Sequence, residues 1–274
     1  MTDEDHPLRI AAWQAASIPA DVTANLVALE RAATEAAESG AELLITPEMF
    51  ITGYNIGDDV RRLSAQHPLE RVRGIAERVG IAIVAGGPEL LGDDSDRDPI
   101  ANAAWFIDDT GAVLAKHHKI QLFGDLDRDL FVAGDEPATV VDYRGHRIGV
   151  LICFDVEFPE TVRAAARAGA DLVAVPTAQM EPFSFVNEHL IRVRAWENGV
   201  HVAYANQHGP DGDLHYVGRS VIASPLGAHV AQAPARGEAL LTAVIDRSLG
   251  EQSRAQNPYL AEVRSGLFRD DAHP

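Results

Sequence analysis

The sequence predicts an α/β protein of the layered α+β kind, with helices covering either one mixed sheet or two sheets. Three observations lead there. Strand-like and helix-like runs alternate along most of the chain, as they do in βαβ units. Three short turn signals, Asp109-Thr-Gly111, Arg144-Gly145 and Pro225-Leu-Gly227, each separate two strand-like runs and mark antiparallel hairpins. Hydrophobic residues make up 46% of the 274 residues, enough for a core that buries most of those strands. Parallel alternation and hairpins together argue against a purely parallel, doubly wound sheet.

In chain order, Leu8 to Trp13 is a short β-type run. Asp21 to Ser39 is rich in alanine, places Leu26, Leu29 and Ala33 at helical spacing and stops at Gly40. Leu43 to Thr46 is a short strand; Leu69 to Val79 is a helix closed by Gly80 and leads into a strand at Ile81 to Ala85. The first hairpin pairs Ala101 to Ile107 with Ala112 to His118, and the second pairs Val140 to Tyr143 with Arg147 to Cys153. Glu160 to Ala168 is helical, ends at Gly169 and leads into a strand at Leu172 to Val175. A longer helix, Phe185 to Glu197, precedes the strand Val200 to Ala205, and the third hairpin joins Val221 to Ala223 with His229 to Ala231.

The length allows one or two domains, and no linker-like composition divides the chain, so a single domain over 1–274 is expected. Gly92 to Pro99 reads as an exposed loop. From about Gly250 the pattern fades into a C-terminal arm lying over the surface or a partner subunit. Lys and Arg total 23 against 41 Asp and Glu, a net charge of −18. Such a surface repels phosphate backbones and anionic lipid, so neither nucleic acid nor a membrane is an expected partner. One cysteine, Cys153, permits no intrachain disulfide and fits a reducing compartment. Met1 to Pro7 is polar and acidic, without the apolar core of a signal peptide, and no run approaches the ~20 apolar residues of a membrane span. These features lead us to expect a soluble, cytoplasmic protein.

Three residues stand out as candidates for chemistry. Cys153 ends a buried strand, Ile148-Gly-Val-Leu-Ile152, and a helix opens a few residues later at Pro159. A strand-to-helix turn lifts a nucleophile to the sheet edge, and a helix N-terminus favours thiolate and oxyanion. Glu48 follows the strand and proline of Leu43-Leu-Ile-Thr-Pro47. Lys119 follows a strand whose adjacent histidines, His117 and His118, point to opposite faces and make a poor metal pair. Taken singly, each has a plain structural reading: a buried cysteine, a loop glutamate in water, a solvated basic turn. Taken together, all three lie at the C-terminal ends of strands.

The blocks Thr46-Pro-Glu-Met-Phe50, Lys119-Ile-Gln-Leu-Phe-Gly124 and Gly149-Val-Leu-Ile-Cys-Phe-Asp-Val-Glu-Phe-Pro-Glu160 resemble the three catalytic blocks of the nitrilase superfamily of carbon–nitrogen hydrolases, in that family's order. Arg194-Ala-Trp-Glu-Asn198 and Tyr204-Ala-Asn206 extend the likeness, which runs from about Leu8 to Arg247. The resemblance implies a four-layer α–β–β–α sandwich, paired into a homodimer or higher homo-oligomer. It implies Glu48 as general base, Cys153 as nucleophile, and Lys119 with the Phe154 backbone N–H as oxyanion donors. No metal or cofactor is implied. A further carboxylate is usual seven residues before the glycine closing the lysine block; here that glycine is Gly134 and the residue is Asp127, one methylene shorter than the family's glutamate. Its plain alternative is an exposed loop aspartate among Asp125, Arg128 and Asp129.

Within the family, Cys153-Phe-Asp155 is similar to the Cys-Tyr-Asp of amidase and carbamoyl-hydrolase branches rather than the Cys-Trp-Glu of nitrilases, so a small-molecule amide is the expected substrate. Thr177-Ala-Gln-Met-Glu-Pro-Phe-Ser184 resembles a pocket loop of stereoselective bacterial amidases. Gln179 is there a candidate hydrogen-bond donor to substrate and Met180 and Phe183 an apolar wall, with Tyr54 as another pocket residue; ordinary packing is the alternative for each. An N-carbamoyl-amide hydrolase or an ω-amidase remains open, although no arginine clamp for a substrate carboxylate is evident. A non-catalytic binding protein on this fold is the alternative from another class. No phosphate-loop, G-x-G-x-x-G or H-E-x-x-H pattern occurs.

Overall fold

The computed structural model describes residues 7–93, 97–264 and 267. Its elements in order are β1 (Leu8–Gln14), α1 (Val22–Glu38), β2 (Leu43–Ile45), α2 (Asp59–Ser64), α3 (Leu69–Val79), β3 (Ala82–Leu90), β4 (Ile100–Ile107), β5 (Val113–His118) and α4 (Gly124–Arg128). There follow β6 (Thr139–Tyr143), β7 (His146–Val150), α5 (Pro159–Arg167), β8 (Leu172–Thr177), α6 (Ile191–Asn198), β9 (His201–Asn206), β10 (His208–Asp211), β11 (Leu214–Val217), β12 (Val221–Ala223), β13 (His229–Gln232), β14 (Ala239–Ile245), α7 (Arg247–Gln256) and α8 (Tyr259–Glu262).

The strands form two six-stranded mixed sheets, β14-β1-β2-β3-β4-β5 and β13-β12-β9-β8-β7-β6, with β10-β11 as a separate hairpin. In each sheet three central strands run parallel, β1-β2-β3 in one and β7-β8-β9 in the other, with antiparallel strands outside them. Side chains alternate across a strand, and both faces are buried here. From β1, Ala11 and Trp13 turn outward to a cluster holding Leu26 and Leu29 of α1 and Ile75 of α3. Leu8, Ile10 and Ala12 turn inward to meet Ile148, Leu172, Ala174 and Ala203 of the second sheet. Val173 and Val175 of β8 turn outward again, to Val162 and Ala165 of α5 and Ile191 and Ala195 of α6. Those three interfaces stack the chain as helices, sheet, sheet, helices, the sandwich expected from the resemblance.

Local chemistry sets the element ends. Asp21 caps α1 through a hydrogen bond from the Ala24 N–H, and Gly80 closes α3 in the left-handed region at φ 72°. Pro159 takes the first position of α5. Several expectations shift. The strand expected to reach Cys153 ends at Val150, where its parallel pairing with Ala174 of β8 stops; Cys153–Glu157 instead forms a 3₁₀ turn. The helix expected over 185–197 opens with one π-helical turn, Val186–Leu190, before α6. β3 runs five residues beyond the expected end at Ala85, through Gly86, Gly87 and Pro88 to Leu90. β10, β11 and β14 were not expected; β14 pairs along its whole length with β1, from Leu8 opposite Ile245 to Gln14 opposite Ala239. Past Gly250 the described chain continues through α7 and α8 to residue 262. In α7, Ser253 bonds to the Pro225 carbonyl and Arg254 to that of Gly199. The acidic loop around 94–96 and the end of the arm lie outside the described residues. Among the described residues no helix is long and apolar enough to cross a membrane.

Gly86 positions the first candidate residue. A Cβ there would stand 2.6 Å from the Pro47 carbonyl oxygen, 2.9 Å from the Met49 nitrogen and 3.0 Å from the Glu48 Cα, so β3 lies against the Glu48 turn only as glycine. Gly86→Ala should push that turn away and cost about 1–3 kcal/mol of stability, a fall of roughly 2–10 °C in Tm. Calorimetry giving a wild-type Tm would show that the turn relaxes freely.

Candidate active site

The site lies at the seam of the two sheets, beyond the C-terminal ends of β2, β7, β8 and β9. Glu48 stands on the turn after β2. Its own N–H donates to the Thr177 carbonyl at the end of β8, and its carbonyl accepts from Gln207 Nε2 after β9. The turn is thus fastened across to the second sheet. Lys119 follows β5 by one residue, its N–H bonded to the Asn102 carbonyl and its carbonyl to the Gly134 N–H. Cys153 opens the 3₁₀ turn after β7 at φ 44°, a left-handed conformation for a residue with a Cβ.

The charged groups are wholly buried. Lys119 Nζ lies 2.7 Å from Glu48 Oε1 and 2.7 Å from Asp127 Oδ2. Glu48 Oε1 also accepts from Asn102 Nδ2 at 2.8 Å, whereas its Oε2 is buried and has no hydrogen-bond partner. Asp127, carried on α4, accepts from the Tyr54 hydroxyl at 2.8 Å and from the Phe123 N–H at 2.8 Å. It is fully buried, not the exposed loop aspartate its neighbours suggest. The Tyr54 ring lies 5.7 Å beneath the Lys119 ammonium.

Burial raises the proton affinity of the Glu48 carboxyl; Lys119 opposes that, and the charge of Asp127 adds to it. Burial works against the Lys119 ammonium, yet Glu48 and Asp127 together hold its proton well above the usual lysine range. Burial and then the Glu48 charge push the Cys153 thiol well above its ordinary value, with Lys119, Thr177 and the Ala178 backbone pulling the other way. A thiol in that setting keeps its proton until a base takes it. Burial likewise lifts the Tyr54 phenol, which remains a donor to Asp127.

Asp155 joins the cysteine turn to the lysine loop. Its Oδ1 accepts from the backbone N–H groups of Ile120 (3.1 Å) and Gln121 (2.8 Å). Its Oδ2 accepts from the Ile152 N–H at 3.0 Å and lies 3.2 Å from His117 Nε2. His118 points the other way, to Glu89, so the two histidines separate as their alternation requires. Arg194 of α6 braces the same turn, donating to the carbonyls of Val156 and Glu157.

Of the pocket candidates, Gln179 spends its amide on Glu157 Oε1 at 2.9 Å. Met180 is buried and bridges to Tyr216. Phe183 is exposed at its outer edge and meets Phe123, which meets Phe154. Sequence reasoning passed over Asn102, Glu157 and the structural part of Asp155. Asn102 carried a usable signal, an amide inside the apolar run Ile100 to Ile107. Among the described residues no group of three His, Cys, Asp or Glu is placed to hold a metal ion.

Asp155→Asn keeps the shape but turns an amide against backbone donors. It should cost about 2–4 kcal/mol, lowering Tm by roughly 5–15 °C. An unaltered thermal transition would remove Asp155 from the tie between the two loops.

The family described as carbon–nitrogen hydrolase matches residues 9–255. A Pseudomonas protegens protein described as "Hydrolase in pqqF 5′ region" is 42% identical over 267 residues, covering 96% of this chain and 91% of that one. A nitrilase of Pyrococcus abyssi is 32% identical over 236 residues, 84% of this chain and 86% of its own. An amidase of Nesterenkonia sp. shares the fold with a TM-score of 0.85 and 36% identity, covering 97% of this chain and 96% of that one. A variant of that amidase carries the acetamide moiety of fluoroacetamide covalently on its active-site cysteine. With two layered mixed sheets and the glutamate, lysine and cysteine blocks gathered at their seam, the chain belongs to the carbon–nitrogen hydrolase family, on the amidase-like side of the nitrilase superfamily, and is a hydrolase of carbon–nitrogen bonds.

Proposed function

We propose that the protein is a thiol amidase that cleaves a small carboxamide to its carboxylate and ammonia through a Cys153 thioester. The observation that carries the reading is the free oxygen of Glu48: Oε1 is held by Lys119 and Asn102, while Oε2 is buried without a partner on the carboxyl that the Cys153 thiol influences. Glu48 takes the thiol proton as sulfur attacks the amide carbonyl carbon. The oxyanion forms against the Lys119 ammonium and the Phe154 N–H, donors of a kind often worth about 3–4 kcal/mol each. Glu48 then returns the proton to the departing nitrogen, and ammonia leaves. Water, deprotonated by the same carboxylate, opens the thioester and regenerates the thiol. Asp127 acts behind Lys119 and on the proton affinity of Glu48. The substrate is a small-molecule amide, no cofactor takes part, a second copy of the chain is the partner, and the cytoplasm is its place.

A screen of ammonia release over aliphatic and aromatic amides, carbamoyl compounds and matched nitriles tests this. Amides should be turned over, with kcat/KM at least tenfold above their nitriles. Cys153→Ser should lose more than 99% of the activity while keeping the wild-type Tm, since a hydroxyl without an activating histidine is a far weaker nucleophile. A preferred nitrile, or an active serine variant, would refute the assignment.

Asp127→Asn gives a pH test with a definite sign. The aspartate charge raises the Glu48 pKa, so its removal lowers it. The acidic limb of the kcat/KM profile follows ionisation of the free enzyme's base and should therefore move to lower pH. The fall in kcat should be milder than in Glu48→Gln or Lys119→Ala. A stationary acidic limb would separate Asp127 from the base.

A further inference from the structure

Beside the glutamate–lysine–cysteine centre stands a third carboxylate that the mechanism does not use. Glu157 ends the same 3₁₀ turn that Cys153 begins, and its half-buried side chain accepts from Gln179 Nε2. Gln179 lies two residues beyond Thr177, which with Ala178 touches the Cys153 thiol. Cys153 and Glu157 both act on the buried Tyr204 phenol. The cations that act on Glu157 are Lys119 and Arg194. Both are engaged: Lys119 by Glu48 and Asp127, Arg194 by two backbone carbonyls and Glu197. Aromatic rings cluster next to the cysteine. Phe154, directly after the nucleophile, meets Phe123 and Phe158 edge-on at 5.3 Å and 5.0 Å, and Phe123 meets Phe183 at 5.8 Å.

We propose that Glu157, held by Gln179, is a specificity-determining residue that turns away amides bearing a carboxylate, so that the enzyme takes uncharged, apolar-substituted carboxamides. This rests on the amidase reading and narrows its substrate class. A substrate carboxylate brought up to Glu157 meets an acidic side chain whose two nearby cations, Lys119 and Arg194, are both engaged. Two carboxylates brought together in a desolvated site cannot both keep their charge without cost, so the anion either repels Glu157 or forces a proton onto it. A methyl group in the same place avoids that cost and gains contact with the phenylalanines.

The test compares pentanamide with the monoamide of pentanedioic acid, equal in chain length and differing by methyl against carboxylate. Wild-type enzyme should favour pentanamide by at least 100-fold in kcat/KM, chiefly through KM. Glu157→Gln should reduce that ratio at least tenfold, about 1.4 kcal/mol, and Glu157→Asp should restore most of it. Equal use of both amides by the wild type, or a ratio untouched in Glu157→Gln, overturns the proposal. Calorimetric binding of the same two amides to Cys153→Ala, with and without Glu157→Gln, separates this from the amidase reading. A preference for pentanamide that Glu157→Gln abolishes, in a protein whose wild type releases no ammonia from either amide, upholds the specificity role and sinks the amidase. Equal binding, or no binding of either amide, overturns the specificity role.

Discussion

One ammonium buried between two carboxylates governs the centre of this protein. Lys119 neutralises one negative charge and leaves the other in a site without solvent. The surplus must be shared among donors, and its distribution is uneven. Asp127 receives a phenol and a backbone N–H besides the ammonium, whereas Glu48 receives one side-chain amide on the oxygen already bound to Lys119. Burial raises the proton affinity of the Glu48 carboxyl, with the Asp127 charge adding to it and Lys119 opposing. A buried ion cluster of this kind is a poor source of stability, because desolvation offsets much of the attraction. On the proposed mechanism, its value lies in poising Glu48 as a base next to a thiol that burial keeps protonated.

That centre depends on two sheets meeting in a fixed way. Glu48 follows a strand of the first sheet and Cys153 one of the second, and the inward faces of β1, β7, β8 and β9 set their separation through tightly packed aliphatic side chains. Hydrogen bonds then fasten the loops: Glu48 to Thr177 and Gln207, and the cysteine turn to the lysine loop through Asp155. The core sets the distance, and the buried carboxylate of Asp155 sets the orientation.

Much of this was legible in the chain itself. The bounds of α1 and α3 follow from Asp21, Gly40 and Gly80, whose side-chain and backbone chemistry is local. Glu48, Lys119 and Cys153 were legible because each trails a strand-like run and the three blocks occur in a family's order. What stayed hidden depends on distant partners. β14 is half exposed and finds its pairing with β1 more than 200 residues away. Asp127 sits among charged neighbours that suggest water, and only tertiary packing buries it. Asp155 binds backbone groups of Ile120 and Gln121, which leave no mark on the side-chain pattern. Gln179 donates to Glu157, a pairing that spacing along the chain does not disclose.

The left-handed backbone at Cys153 has a further consequence. A residue with a Cβ at φ 44° carries roughly 1–2 kcal/mol of strain that glycine would not. Folding alone would favour glycine at this position, at the head of the 3₁₀ turn. The residue there is instead the chain's one cysteine. On the proposed mechanism, the gap between the residue the backbone prefers and the residue present is stability given up for a nucleophile. Selection for a tougher molecule, applied without selection for turnover, would leave nothing to hold the thiol in place.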